Sequence, residues 1–331
     1  MHALTFIYIV IGIAFLFDFI NGFHDASNSI ATIVSTGVLK PWAAVLWAAF
    51  FNFIAFLFFH LKVANTVGVG LVSPDIINTY VIMAALIGAI VFNLITWYLG
   101  LPSSSSHALI GGLVGAALVA GGLHSLNYVG LSKVLVSIVL SPVLGFLIAW
   151  LAMSFFLKVL VKPDSAGVNR ASRYFQLLAS AMLSLGHGGN DAQKTMGIIA
   201  VVMFSAGMLG PTFFIPFWVV ISCNLVMGLG TLCGGWRIVR TLGEKITPLN
   251  PLSGGCSSMG AALTLFIANH FGIPVSTTHT VTGAITGVGS AKGGFGTNWG
   301  ILKKILWAWF FTIPCAALFA AIIEYVRPLF S

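Results

Sequence analysis

Three long stretches of this chain, residues 76–132, 195–236 and 246–291, contain no Asp, Glu, Lys or Arg. One helical crossing of a bilayer takes about 20 residues, so each stretch has room for two crossings or for one crossing and a re-entrant hairpin. Charged residues make up 7% of the chain, whereas a soluble domain carries roughly 25%. We therefore predict an all-α, multi-pass integral membrane protein that lies in the lipid bilayer of the cell (inner) membrane.

The formal net charge of +8 does not indicate a nucleic-acid partner. The basic residues stand singly or in pairs between apolar segments, where a membrane protein has its cytoplasmic loops. The four cysteines lack CxxC or CxxH spacing, so we predict neither a disulfide framework nor a structural metal site.

Two sequence patterns each occur twice. Residues 100–107 read Gly-Leu-Pro-Ser-Ser-Ser-Ser-His, and residues 272–279 read Gly-Ile-Pro-Val-Ser-Thr-Thr-His. Upstream of these Pro-hydroxyl turns, residues 22–28 read Gly-Phe-His-Asp-Ala-Ser-Asn, and residues 188–194 read Gly-Gly-Asn-Asp-Ala-Gln-Lys. Each half of the chain thus has an acidic motif followed by a Pro-hydroxyl turn.

The register of the two halves supports duplication, because His107 and His279 are as far apart in sequence as Asn52 and Asn224. We predict a first transmembrane repeat at 1–157, a basic cytoplasmic linker at 158–173 and a second transmembrane repeat at 174–331. Six segments are expected in each repeat, at about 3–20, 25–36, 41–60, 79–99, 106–121 and 134–157, and at about 174–186, 191–208, 211–233, 255–270, 278–291 and 301–325.

Two segments per repeat are too short and too glycine-rich to cross the bilayer alone; in the first repeat they open at Asp25 and Ser106. We expect discontinuous helices or re-entrant hairpins there, which membranes tolerate where protein buries the broken backbone or water lines it. Such paired interruptions point to a transporter's substrate site near the bilayer midplane. Whether the repeats run parallel or inverted depends on how many segments cross, and this count stays open.

The Pro-hydroxyl turns favour anion binding. A proline ends the preceding helix, and the hydroxyls that follow cap the next helix, which presents free N–H groups and a positive dipole end. An oxyanion such as phosphate fits this neutral cradle, although Ser and Thr also cap and pack membrane helices. The candidate residues for binding this oxyanion are Ser104, Ser105, Ser106, Ser276, Thr277 and Thr278, together with Lys194.

The acidic motifs place Asp25 and Asp191 at matching positions of the two halves. A carboxylate inside a membrane is costly and by default marks a functional site; the alternative role is a helix cap. A carboxylate that faces an anion requires a proton or metal cation between them. We therefore expect a coupling cation at these aspartates, with Asn28 and Asn190 assisting.

Lys194 has Asn28 as its counterpart, so it breaks the internal symmetry. Its ammonium can replace a bound metal ion, pair with Asp191 or touch the anion, or it can extend to the membrane interface. Histidine can carry a proton near neutral pH, yet it also serves as a hydrogen-bonding group between segments. Roles in proton transfer or in structure stay open for His24, His107, His187, His279, Asn52 and Asn224.

The chain resembles the PiT family of inorganic phosphate transporters, most closely its bacterial low-affinity, proton-coupled branch. The signature stretches are residues 21–28, 97–107, 187–194 and 273–279. The resemblance implies an inverted-repeat transporter that takes up phosphate, with a neutral metal-phosphate complex as one form of the substrate. It also implies a homo-oligomer, with cations at the acidic motifs and phosphate at the hydroxyl turns. Members that use sodium differ at the positions of Lys194 and Asn52, which favours protons here.

We predict a secondary active symporter that works by alternating access, without catalytic residues and without a cofactor. The alternatives are a sulfate or related oxyanion permease, a sodium-coupled phosphate symporter and a passive anion channel. An intramembrane hydrolase would use Ser105 or Ser106 with His107 and Asp25. The chain has no GxSxG or HExxH motif, and a hydrolase offers no reason for a duplicated set of residues.

Overall fold

The computed structural model describes residues 2–73, 76–159, 166–293 and 296–327. In this part of the chain the regular structure is helical, apart from one isolated bridge between Val72 and Leu126. The first half has the helices α1 (His2–Ser35), α2 (Pro41–Ile54), α3 (Lys62–Val69), α4 (Thr79–Leu99), α5 (Ser105–Gly121) and α6 (Tyr128–Val159). The second half has α7 (Ala166–Ser205), α8 (Phe217–Cys233), α9 (Trp236–Glu244), α10 (Pro251–Phe271), α11 (Thr277–Ala291) and α12 (Trp299–Val326).

Six helices of the described chain are long and apolar enough to cross a membrane, and there are eight such spans if each of two bent helix pairs counts as one. The first bent pair joins α2, through a short 3-10 turn, to α3 at 85°. The second joins α8 to α9 at 73°. The prediction of an all-α, multi-pass membrane protein with discontinuous helices is confirmed.

The acidic motifs do not interrupt their helices. Helix α1 runs unbroken through Asp25 and α7 runs unbroken through Asp191, so the prediction that a new segment opens at each motif is wrong. The glycines serve close packing instead: a Cβ atom at Gly22 would overlap the carbonyl oxygen of Met227 in α8. Gly188 approaches the α2 backbone in the same way. Helix contact, not a turn, requires glycine here.

In place of the helix breaks predicted at the acidic motifs, each half has a break in its third predicted segment. The segments expected at 41–60 and 211–233 end in bends, and the additional helices α3 and α9 follow them. In each half the first two predicted segments form one continuous helix, and one additional helix, α3 or α9, is present. Each half therefore still has six helices. The connection between α6 and α7 is shorter than the predicted linker, since α7 already begins at Ala166; residues 160–165 lie outside the described residues.

The two halves exchange their last helices. Helix α5 packs between α4 and α12, whereas α11 packs between α10 and α6. Glycines allow the close approach: a Cβ atom at Gly115 would overlap the backbone of Ala317 in α12, and one at Gly287 would overlap that of Phe146 in α6. The halves are therefore interlocked, and each Pro-hydroxyl turn is held by helices from both.

Helices α1 and α7 lie antiparallel at the centre of the molecule. Near the end of α1, the carbonyl of Thr32 accepts a hydrogen bond from Gln176, which lies early in α7. Further along α7, Thr195 reaches back to Asp18, which lies earlier in α1. This arrangement supports an inverted repeat, and the orientation of the complete repeats stays a prediction.

Candidate functional site

The two Pro-hydroxyl turns have the same backbone construction. Gly100 and Gly272 end α4 and α10 in the left-handed region, with φ values of 65° and 66°, and glycine is the residue that adopts this conformation without strain. Ser104 and Ser276 cap α5 and α11, because each hydroxyl oxygen accepts the backbone N–H three residues later at 3.2 Å. The predicted breaks at these turns are confirmed.

Each aspartate receives a hydroxyl from the Pro-hydroxyl turn of its own half. The Ser105 hydroxyl donates to Asp25 Oδ2 at 2.5 Å, and the Thr277 hydroxyl donates to Asp191 Oδ2 at 2.8 Å. Both carboxylates are buried, with exposures of 2% and 0%. Hydrogen bonds to an ionised acceptor are stronger than neutral ones, so the first residue of each hydroxyl helix is fixed to an acidic motif.

The next residue of each hydroxyl helix contacts the opposite half. Asn28 of α1 donates its amide to Thr278 Oγ1 of α11 at 2.9 Å. At the equivalent position of the second half, Lys194 of α7 donates to the Ser106 hydroxyl of α5. An equivalent hydrogen bond thus crosses between the halves twice. Its donor is a neutral amide in one case and an ammonium group in the other.

Lys194 uses all three hydrogen-bond donors of its ammonium group. It donates to Asp191 Oδ1 and to the Ser106 hydroxyl, and to the carbonyl oxygen of Val275 at 2.8 Å. Ser106 belongs to the first Pro-hydroxyl turn and Val275 to the second. One buried ammonium therefore connects both turns to an acidic motif, and the possibility of a lysine extended to the interface is wrong.

The two acidic motifs meet in space. One potential ligand atom from each of Asp25, His187 and Asp191 lies within 4.8 Å of the other two, and all three residues are buried. His187 Nε2 is 3.1 Å from Asp191 Oδ2, and Nδ1 is 3.2 Å from the Ser29 hydroxyl of α1. Two carboxylates and an imidazole at this separation have the donor atoms to hold a single cation.

The other predicted histidines divide into two groups. His24 Nδ1 is 2.7 Å from Asp25 Oδ1, so each aspartate has an adjacent imidazole. His107 and His279 instead meet ring to ring, with centroids 4.7 Å apart, and His279 stacks on Trp309 at 3.7 Å. The contact between His107 and His279 therefore joins the starts of α5 and α11.

Of the predicted asparagines other than Asn28, Asn52 and Asn190 contact neighbouring helices, whereas Asn224 contacts its own helix. Asn190 donates to Asn269 of α10 at 3.0 Å, which anchors the helix before the second turn. Asn52 donates to Thr231 of α8 at 2.9 Å, and Asn224 donates to a carbonyl one turn earlier in its own helix. The structure does not bring the amides of Asn52 and Asn224 into contact with the aspartates or the hydroxyl turns.

Further buried polar side chains belong to this network, although no duplicated motif pointed to them. Asn21 Oδ1 accepts from the Ser105 hydroxyl at 2.5 Å, and Thr96 contacts His24 Nε2 at 3.2 Å. Asn21 lies one turn before Asp25, a spacing that places both on one face of a helix. That spacing was the available signal for Asn21, whereas Thr96 lies on α4 and only the fold brings it close.

Two stretches of the chain, residues 21–166 and 161–320, match the family described as the Phosphate transporter family. The chain is 55% identical to the probable low-affinity inorganic phosphate transporter of Rhizobium meliloti (strain 1021), over 97% of this chain and 96% of the relative. It is 41% identical to the protein of the same name from Bacillus subtilis (strain 168), over 98% and 97% of the two chains.

A solved structure titled "The sodium-dependent phosphate transporter" superposes on the chain with a TM-score of 0.88. The two sequences are 28% identical, and the match covers 98% of this chain and 99% of the other. The helix order and the interlocked halves described above therefore have a counterpart in an experimentally determined structure.

Proposed function

Because this chain belongs to the phosphate transporter family, we propose that it takes up inorganic phosphate by symport with protons through alternating access. Family membership makes it a transporter rather than an enzyme, so the hydrolase that would use Ser105 or Ser106 is set aside. The observation that carries the proposal is the contact set of Lys194, which joins both Pro-hydroxyl turns to Asp191 in the membrane-embedded centre.

Phosphate binds, in this proposal, at the adjoining starts of α5 and α11. The first N–H groups of a helix have no partner inside the helix and carry partial positive charge, and two such helix starts meet where His107 and His279 touch. Lys194 supplies a full positive charge beside them. The proposed phosphate ligands are Ser104, Ser105, Ser106, Ser276, Thr277, Thr278 and Lys194.

The coupling cation binds at Asp25 and Asp191. An anion next to two carboxylates is repelled unless a cation neutralises them, so phosphate and cation bind together and move together. The side-chain oxygens of Asn28 and Asn190 are buried and accept no hydrogen bond from any described residue, so they can serve as additional cation ligands. A divalent metal that enters as part of a metal-phosphate complex would use the same oxygen donors.

Protons are the preferred coupling ion because Lys194 already supplies a cation in the second half. Its position corresponds to Asn28, whose neutral amide leaves room for a mobile ion. Sodium is the second candidate, since the structural relative is sodium-dependent by its title. The two candidates differ in a single measurable property, the ion gradient that drives accumulation.

Alternating access requires the contacts that cross between the halves to break and reform. The bonds from Asn28 to Thr278 and from Lys194 to Ser106 are the proposed closing contacts, because each joins a motif of one half to a turn of the other. The multi-pass membrane location follows from the family and from the apolar helices, whereas the inverted repeat, the cytoplasmic α6–α7 connection and the homo-oligomer stay predictions.

Reconstituted uptake tests the proposal. Purified protein in liposomes receives labelled phosphate under an imposed pH gradient, under a sodium gradient, or under neither. We expect accumulation against a concentration gradient with the pH gradient alone, and no competition from excess sulfate. Accumulation with sodium alone would establish the second candidate, strong competition by sulfate would indicate a broader oxyanion permease, and only downhill flux would indicate a channel.

A further inference from the structure

A third buried carboxylate, Asp18, lies on α1 and takes no part in the site described above. Its exposure is 0%. Oδ1 accepts a hydrogen bond from the Thr195 hydroxyl of α7 at 2.9 Å, whereas Oδ2 is buried and has no hydrogen-bond partner among the described residues. In the described chain no lysine, arginine or histidine lies within ion-pair distance of Asp18.

This environment suits a neutral acid. An isolated ionised carboxylate in a medium of low dielectric constant is so costly that the group takes up a proton instead. The titratable groups that face Asp18 from the packed helices are Asp191 of α7 and the thiol of Cys223 of α8; α2 and α4 contain no charged residue or histidine. Neither Asp191 nor Cys223 supplies the positive charge that would hold Asp18 ionised.

The position of Asp18 connects it to the transport site. Asp18, Asn21 and Asp25 follow one another at spacings of three and four, so they share one face of α1. Asp18 and Asp25 are roughly 10 Å apart along the helix axis. Asn21 lies between them and shares the Ser105 hydroxyl with Asp25. On α7, Thr195 directly follows Lys194.

Asp18 also lies on one defined side of the site. Beyond the carboxyl end of α1, the carbonyl of Gly37 accepts from Arg173 at 3.2 Å, and Lys40 follows. Basic residues mark the cytoplasmic ends of membrane helices. Asp18 precedes Asp25 in α1, so it lies between the paired aspartates and the opposite, external face.

We propose that Asp18 carries one coupled proton, separate from the cation that binds at Asp25 and Asp191, an inference that rests on the proton symport proposed above. A proton from the external side adds to Oδ2 and forms one O–H bond, which makes the acid neutral while phosphate binds. In the inward-facing state this O–H bond breaks, the proton leaves to cytoplasmic water, and the electron pair stays on the carboxylate. One positive charge therefore enters with each cycle of Asp18.

Two matched variants separate proton transfer from a structural role. Asp18→Asn keeps an oxygen that accepts from Thr195 but has no acidic proton. Thr195→Val keeps the acid and removes the hydrogen bond. Each is reconstituted and assayed for net phosphate uptake under a pH gradient, and for exchange of labelled for unlabelled phosphate at equal pH on both sides. Exchange needs no net proton movement.

We expect the uptake by Asp18→Asn to respond less to the pH gradient than that of the wild type, while its exchange stays at the wild-type rate. Thr195→Val and Asp18→Glu should retain both activities. The assignment is overturned if Asp18→Asn responds to the pH gradient as the wild type does, if it loses exchange together with net uptake, or if Thr195→Val loses coupling to the same extent.

The wild type distinguishes failure of this inference from failure of the proposed symport. Wild-type protein that accumulates phosphate only under a sodium gradient would overturn the proton symport itself. If Asp18→Asn is not recovered as folded protein, infrared spectroscopy of the carbonyl stretch of a protonated carboxylic acid replaces the transport assay of this variant. A band that shifts between wild type and Asp18→Glu supports the assignment, and an unshifted spectrum overturns it.

Discussion

Asp25 and Asp191 have equivalent hydroxyl donors but different electrostatic surroundings. Each accepts from the first hydroxyl of a helix in its own half and each has an adjacent histidine. Only Asp191 also pairs with a lysine. The duplicated fold thus reproduces the geometry of the site, while one substitution, Lys194 in place of an asparagine, makes the two aspartates unequal.

Equivalent contacts made by different residues also occur at the outer surfaces of the two Pro-hydroxyl turns. Thr241 of α9 donates to the carbonyl of Gly100 at 3.0 Å, and Thr66 of α3 donates to the carbonyl of Gly272 at 2.9 Å. A cation accompanies each threonine, Arg237 at the first turn and Lys62 at the second. The short helices α3 and α9 therefore hold the turn of the opposite half, which explains why both follow sharp bends.

The largest expected difference between the halves is in stability. Asp191→Asn leaves the Lys194 ammonium buried without its carboxylate, and breaking a buried ion pair from one side costs about 3–5 kcal/mol. Asp25→Asn leaves no buried lysine without its partner, so its loss of stability should be smaller. Both variants should lose concentrative uptake. Unfolding midpoints in detergent, with uptake assays, measure both effects.

The double variant Asp191→Asn with Lys194→Met is the control for this comparison. It removes both charges together, so most of the lost stability should return. Equal destabilisation by Asp25→Asn and Asp191→Asn would contradict the inequality of the two aspartates. Normal uptake by both single variants would refute their role in coupling.

Lys194→Asn makes the two acidic motifs alike and should change the response to sodium. The variant leaves Asp191 as a buried carboxylate without its ammonium partner, and a sodium ion can take the place of that ammonium group. Sodium at a hundred times its dissociation constant would stabilise the variant by about 2.7 kcal/mol, and the wild type by less. Unfolding midpoints with sodium or with choline as the cation test this expectation, and uptake under each gradient tests the driving ion. A variant with unchanged ion dependence would show that Lys194 does not select the ion.

Ser105→Ala and Thr277→Val should have similar effects, because each removes one hydroxyl donor to a carboxylate. Hydrogen bonds to charged groups contribute about 1.5–3 kcal/mol. Ser105 also contacts Asn21, so its loss should be the larger of the two. Unfolding midpoints and the phosphate dependence of uptake give the comparison; a larger effect at Thr277 would contradict the arrangement.

Much of this fold was predictable because its signals are local. The uncharged stretches predicted membrane helices, and Gly100 with Pro102 predicted the first helix break. The bend between α8 and α9 also has a local signal, since Gly234 lies there with a φ of 64°. Between α2 and α3 the chain reads Ala-Phe-Leu-Phe-Phe-His-Leu, which contains no glycine or proline, so there was no local signal for the first bend.

The errors arose where a residue's role depends on a distant partner. Gly22 is required by the backbone of Met227, a residue more than half the chain away, and local sequence cannot distinguish such packing from a turn. Duplication revealed Asp25 and Asp191 but not Asp18, because the equivalent position before Asp191 is Ser184. The contacts that cross between the halves likewise follow from helix packing.

The smallest expected effect separates helix capping from phosphate binding. Ser104 and Ser276 each accept the backbone N–H of the residue three positions later at the same distance. Alanine at either position should therefore cost about 1 kcal/mol, whereas glycine costs only a few tenths. Ser104→Gly and Ser276→Gly therefore preserve the helix start but remove the hydroxyl. If the hydroxyls bind phosphate, the glycine variants will raise the KM for phosphate with little change in the unfolding midpoint. An unchanged KM in both would assign these two serines to capping alone and leave phosphate to Ser105, Ser106, Thr277 and Thr278.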